Sequence, residues 1–181
     1  MFKNFFPYEY VKSVFHIDYP KLFRTGYRGI LFDIDNTLVH HGKDSNHQIE
    51  SLLRYLQTLN FKIVLVSNNS KERIERFIKN IEIPYVDEAM KPHRTGYVKA
   101  LEILNLEKNQ VFCVGDQVFT DIVGSNRCGI ASILVEYMRV SNQEKIGKKR
   151  QLERFVLTLY SFQRRYQDRM GNVKKEVPFE F

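Results

Sequence analysis

The stretch Gly29-Ile30-Leu31-Phe32-Asp33-Ile34-Asp35-Asn36-Thr37 runs an apolar segment straight into two carboxylates. A continuous apolar run behind a glycine reads as a strand buried on both faces, the kind found in the middle of a parallel sheet. Along a strand, residues two apart point to the same side. Asp33 and Asp35 can therefore face one site. Two carboxylates that close repel each other and favour a bound cation or a shared proton. A turn, a helix cap or a nucleotide-sugar metal site could use the same pair of acids. A calcium-binding loop would need a glycine where Leu38 stands.

Outward from this run, apolar strands and amphipathic helical patterns alternate. Ile49, Leu52, Leu53, Leu56 and Leu59 fall at helical spacing, and Lys62–Ser67 (KIVLVS) reads as a second buried strand. Asn69, with Glu72 three residues on, predicts a capping box for a helix that buries Ile74, Phe77 and Ile78. A short strand is expected over Pro84–Val86, and after Pro92 a helix with Tyr97, Leu101 and Leu104 on one face. Gln110–Gly115 (QVFCVG) predicts another strand, followed by a helix from about Thr120 to Gly129 and a last strand over Ser132–Val135. Leu152, Phe155, Val156 and Leu159 mark a further helix. This alternation predicts βαβ units, hence an α/β fold with a parallel sheet covered on both faces.

Three further motifs follow predicted strands, at the end where open α/β sheets bind ligands. Ser67-Asn68-Asn69 joins a hydroxyl to backbone N–H groups near a helix start, which suits phosphate oxygens, although Ser and Asn also cap helices without any ligand. Lys91-Pro92 supplies a point charge for phosphate, where a lone lysine is more often surface. Gly115-Asp116 with Asp121 five residues on (GDQVFTD) offers a hard-metal ligand directly after a buried strand, and Asp121 alternatively serves a helix N-terminus.

Taken together and in this order, DIDNTLV, VSNNS, KP and VGDQVFTDIVGSNRCG resemble the haloacid dehalogenase (HAD) superfamily of phosphohydrolases, and within it the YqeG family of type IIIA phosphatases. The resemblance covers roughly residues 5–135 and extends to the mitochondrial phosphatidylglycerophosphatase of yeasts. It implies a HAD-like Rossmannoid three-layer α/β/α domain spanning 1–181. It also implies Asp33 as nucleophile and Asp35 as acid and base. Mg²⁺ would be held by Asp33, the Asp35 backbone carbonyl and Asp116. Ser67, Asn68 and Lys91 would hold the phosphoryl group, with Asp121 supporting the metal. Only 29 residues separate Thr37 from Ser67 and 23 separate Ser67 from Lys91, so neither gap holds a large cap domain. An open site suits a large phosphate monoester, and phosphatidylglycerophosphate becomes a candidate substrate. A soluble phosphatase acting on a sugar, nucleotide or nucleic-acid end, and a non-catalytic binding protein, are the alternatives.

Composition bounds these readings. The 181 residues are 43% hydrophobic and carry a net charge of +7. No apolar run approaches the roughly 18 residues that span a bilayer, and Met1–Tyr10 lacks a signal-peptide core, so a cytoplasmic protein is expected. Cys113 reads as a buried thiol, and two cysteines make no disulfide framework. The excess charge is C-terminal: between Arg139 and Lys175 stand 11 basic residues and 3 acidic ones. That segment is either a solvated helix face or a patch for an anionic partner: a membrane surface, nucleic acid as the lesser candidate, or an acidic protein. The first 27 residues hold nine of the 24 aromatics. They are expected to cover one side of the core, with a lipid-facing surface the alternative.

Overall fold

The computed structural model describes residues 2–138 and 147–181. Residues 139–146, the start of the predicted basic segment, lie outside the described residues. A six-stranded, all-parallel sheet has the order β1 (Glu9–Val11), β6 (Ala131–Val135), β5 (Val111–Gly115), β2 (Gly29–Phe32), β3 (Lys62–Val66), β4 (Tyr85–Val86). The chain winds from β2 through β3 to β4 on one side, then returns to β5 and β6 on the other. The direction reverses between β2 and β5, where open α/β sheets form their binding crevice. Their register pairs Leu31 with Cys113 and Phe32 with Val114.

The central strands are apolar on both faces because both are covered. Ile30, Phe32, Ile63, Leu65, Phe112 and Val114 pack into one cluster with α2 (His47–Thr58) and α3 (Lys71–Phe77). Leu31, Val64, Val66, Val111 and Cys113 pack into the other with Tyr97, Ala100 and Leu104 of α4 (Arg94–Leu104) and Cys128 of α5 (Val123–Cys128). This is the expected three-layer α/β/α arrangement. Both cysteines are free and buried. The gaps flanking Ser67 hold α2 with β3 and α3 with β4, and no further elements.

Some local expectations needed correction. The helix after β3 begins from Ser70, not Asn69. The Asn69 side chain instead donates to Asp35 across the cleft. The helix foreseen from Thr120 opens as a π turn over Val118–Ile122 before α5, and ends on Gly129 with φ +74°. The N-terminal aromatics line the core. Phe6 and Tyr19 are buried, Phe23 packs edge-on to Phe61, and Tyr27 packs edge-on to Phe112. Two elements were not foreseen, the three-residue edge strand β1 and the short helix α1 (Tyr19–Arg24). A last helix, α6 (Lys148–Ser161), carries much of the basic segment. Among the described residues no helix is long and apolar enough to cross a membrane.

Candidate active site

The predicted motifs converge at the C-terminal edge of four adjacent strands. The Asp33 N–H donates to Val114 O (3.0 Å), so β2 stays paired to β5 until its first carboxylate emerges. The chain then turns: the Leu38 N–H bonds Ile34 O at 2.9 Å, and Asn36 takes φ +62°, a left-handed conformation that Asn tolerates. The turn brings Thr37 back, and its Oγ1 donates to Asp33 Oδ2 (3.1 Å).

Lys91 is the hub. Its buried Nζ donates to Asp33 Oδ1 (2.5 Å) and to Asp121 Oδ1 (2.7 Å). Burial alone would lower its pKa, but Asp121 and Asp33 more than reverse that and hold the amine firmly protonated. The Asn68 side chain fixes the lysine's backbone, accepting the Lys91 N–H at 2.7 Å and donating to Lys91 O at 3.3 Å. Ser67 is buried at the end of β3, and its Oγ accepts the Asn69 N–H (3.1 Å).

Asp121 sits on the π turn, a feature common at functional sites. Its second oxygen accepts the Gln117 N–H (3.0 Å). The Tyr97 hydroxyl donates to Thr120 O and Asp121 O, and the Ser125 hydroxyl also donates to Asp121 O. Gly115 makes room, since a Cβ there would lie 2.4 Å from the Asp121 Cβ and Cγ.

Asp33, Asp116 and Asp121 each offer an oxygen within 4.8 Å of the others. Burial pushes the Asp33 carboxyl up to about 6, against the pull of Lys91. Burial, reinforced by Asp33 and Asp121, pushes Asp116 up to about 8 although Arg150 opposes it. Such raised values mark carboxylates crowded together out of water. Asp116 Oδ1 is buried with no hydrogen-bond partner among the described residues. Hard carboxylate oxygens, mutual repulsion and an unpaired buried acceptor together fit a divalent cation of the Mg²⁺ type.

Asp35 lines the same cleft but turns away from the lysine. It accepts from Asn69 Nδ2 (2.6 Å), Arg73 Nη2 (3.0 Å) and the Gly42 N–H (2.9 Å). Burial would raise its pKa, but these donors outweigh burial and hold it below the ordinary carboxylate value. The cleft encloses about 210 Å³, with Asp33, Asp35, Ser67 and Lys91 at its base and His41 and Lys149 among its lining.

Sequence reasoning missed three contributors. Arg73 and Asn69 anchor Asp35 from α3 and the turn before it. Arg150, part of the basic segment read on sequence as either a solvated helix face or an anionic-partner patch, turns inward from α6. Its guanidinium pairs with the Asp116 carboxylate and donates to Asp116 O (2.7 Å) and Glu153 Oε2 (2.8 Å). Spacing could not have revealed it, because 33 residues lie between it and Asp116.

A family model for haloacid dehalogenase-like hydrolases matches residues 40–135, which begin beyond the Asp33–Thr37 run. The probable phosphatase YqeG of Bacillus subtilis (strain 168) is 35% identical over 162 residues, covering 87% of this chain and 93% of that protein. The chain belongs to the haloacid dehalogenase-like hydrolases. It is a phosphatase of that family, similar to YqeG. Solved structures agree on the fold. NagD from E. coli K-12 superposes with a TM-score of 0.54 at 12% identity, over 67% of this chain and 94% of that one. A haloacid dehalogenase-like hydrolase from Bacteroides fragilis gives 0.52 at 16% identity, over 65% and 91%.

Proposed function

We propose that this phosphatase hydrolyses a phosphate monoester through a covalent aspartyl-phosphate on Asp33, with Mg²⁺ held by Asp33, Asp116 and the Asp35 backbone carbonyl. The observation that carries the reading is the buried grouping of Asp33, Lys91, Asp116 and Asp121 at the sheet's switch point. When bound, the cation neutralises charge on the phosphoryl oxygens and on the acids that face them. Asp33 attacks phosphorus as the ester oxygen departs with a proton from Asp35. Water then attacks the aspartyl-phosphate, Asp35 takes its proton, and inorganic phosphate leaves with Asp33 restored. Ser67, the Asn68 backbone and Lys91 hold the phosphoryl oxygens, and Asp121 keeps Lys91 charged and aimed. For the first step Asp35 must leave Asn69 and Arg73 and carry a proton. Its present contacts suit the second.

For the substrate we propose a membrane-borne monoester, phosphatidylglycerophosphate, handled by a protein that works at the membrane surface. Two features support this. Among the described residues no large cap closes the cleft, so a headgroup can enter while its chains stay outside. The YqeG-type motifs also resemble the yeast phosphatidylglycerophosphatase. A phosphate-release screen with Mg²⁺ tests the reading, comparing phosphatidylglycerophosphate in mixed micelles with sugar phosphates, nucleotides and a 5′-phosphorylated oligonucleotide. The lipid should give the highest kcat/KM. A soluble ester turned over tenfold faster would contradict the substrate, and no release from any ester would contradict the enzyme.

A further inference from the structure

Helix α6 buries one side and leaves large apolar groups on the other. Glu153 and Tyr160 are buried, while Leu152, Phe155, Leu159 and Phe162 are 54%, 59%, 37% and 79% exposed. Steps of three and four residues set these four along one stripe, about 15 Å long at the helical rise. Single exposed apolar residues are ordinary, but two Phe and two Leu in helical register form a patch that calls for a partner. Lys148 and Arg154 of the same helix, and Arg164 and Arg165 just beyond its end, are exposed. The acid within α6, Glu153, is turned inward onto Arg150.

We infer that the Leu152/Phe155/Leu159/Phe162 face of α6 is a docking surface for an anionic lipid bilayer, lying in the interface with its aromatic side chains in the acyl boundary. An apolar stripe rimmed by cations on a surface helix is the pattern of an in-plane membrane helix. The charge selects the occupant. A second copy docked through the same stripe would bring Lys148, Arg154, Arg164 and Arg165 against their own kind. Nucleic acid would satisfy the cations and leave two phenylalanines in water. The anionic headgroup layer meets the cations while the hydrocarbon beneath takes the stripe. The same helix reaches the reaction cleft, because Lys149 lies on its lining and Arg150 on Asp116. Lys149 precedes Leu152 by less than one turn. Docking through the stripe would hold this helix, and with it the wall of the cleft that carries Lys149, within about one helix diameter of the headgroup layer. This deepens the membrane reading above and rests on it only for the premise that the protein meets a bilayer. The identity of the substrate plays no part.

The chain contains no tryptophan, so one introduced at position 155 reports alone. With Phe155→Trp in the full-length protein, vesicles of 30% phosphatidylglycerol in phosphatidylcholine should shift the emission to the blue and sediment the protein. Pure phosphatidylcholine vesicles should do so at least tenfold more weakly. Phe155→Ser/Phe162→Ser should lose at least tenfold in vesicle partition while keeping p-nitrophenyl phosphate turnover within twofold, since neither residue touches the cleft. An unshifted emission, or undiminished binding of the double variant, overturns the inference. So does a wild-type dimer that ignores vesicles and that the double variant dissolves, because the stripe is then a subunit interface. Vesicle binding without hydrolysis of any lipid monoester leaves the inference standing and removes the substrate proposal instead.

Discussion

Replacing Lys91 by Met keeps the aliphatic stem and removes the charge between Asp33 and Asp121. Three carboxylates with oxygens within 4.8 Å of one another would then face Arg150 as the remaining cation bonded to them among the described residues. Stripping one partner from a buried ion pair costs about 3–5 kcal/mol, because the charge left behind is uncompensated. For a chain of this size each kcal/mol moves Tm by roughly 2–4 °C. The metal-free variant should therefore melt roughly 6–20 °C below wild type at pH 8. The sign of the pH effect follows from Asp33. Burial already holds its folded pKa above the unfolded one, and without the ammonium that opposes burial it rises further. Its contribution is then intact at low pH and is lost as pH rises through the folded value. The gap between variant and wild type should accordingly narrow at pH 5. Circular dichroism melts in excess chelator measure both effects, and phosphate release should fall on the order of 10³-fold in parallel. A melting point within 2 °C of wild type at pH 8, or a gap equal at both pH values, would refute the view of Lys91 as the charge that holds this site together.

Other perturbations separate the remaining parts. Arg150→Met should lower metal-free stability by about 3 kcal/mol and let Mg²⁺ raise Tm at lower concentration than in wild type, since no guanidinium then competes for Asp116. Unchanged Mg²⁺ dependence in thermal-shift titrations would count against it. Gly115→Ala forces a Cβ against Asp121 and should cost about 1–3 kcal/mol and at least tenfold in turnover, whereas turnover within twofold would show that Asp121 can move freely. Glu9 is buried in β1, and burial, reinforced by Asp168, pushes its carboxyl up to about 7 against the pull of the Met170 N–H. Its folded pKa lies above the unfolded one, so its stabilising contribution is complete below about pH 4.5 and is lost as pH rises through 7. The loss is on the order of 2–3 kcal/mol. Glu9→Gln should flatten that slope and be the more stable protein at pH 8. Parallel Tm-against-pH profiles for the two proteins would contradict this.

Much of this architecture was legible because it rests on local patterns. Unbroken apolar strands announce a sheet covered on both faces, and the Asp33, Ser67 and Asp116 motifs directly follow such strands. What stayed hidden depends on long-range packing. β1 has three residues and a glutamate in it, too short and too polar to read as a strand, and it exists because its neighbour β6 offers a parallel edge. Asn69 reads as a helix cap by type, yet α3 starts from Ser70 and the Asn69 side-chain amide donates to Asp35 in the turn after β2. Arg150 belongs by composition to the basic C-terminal run, and only the packing of α6 against Val118, Ile122 and Leu134 turns it onto Asp116. The apolar spacing of Leu152, Phe155 and Leu159 correctly marks a helix, but Glu153 and Tyr160 take the inward side.

The central claim is that phosphate passes through the Asp33 carboxylate. The most direct measurement uses Asp35→Asn with p-nitrophenyl phosphate and Mg²⁺ in a rapid-quench experiment followed by borohydride reduction. The phenolate leaves without a proton donor, while water attack on the intermediate is slowed by loss of the base. The account predicts a burst of p-nitrophenol approaching one equivalent per chain, with residue 33 recovered as homoserine in the peptide mass spectrum. Linear product release with residue 33 unmodified, or label recovered on a different carboxylate, would contradict it.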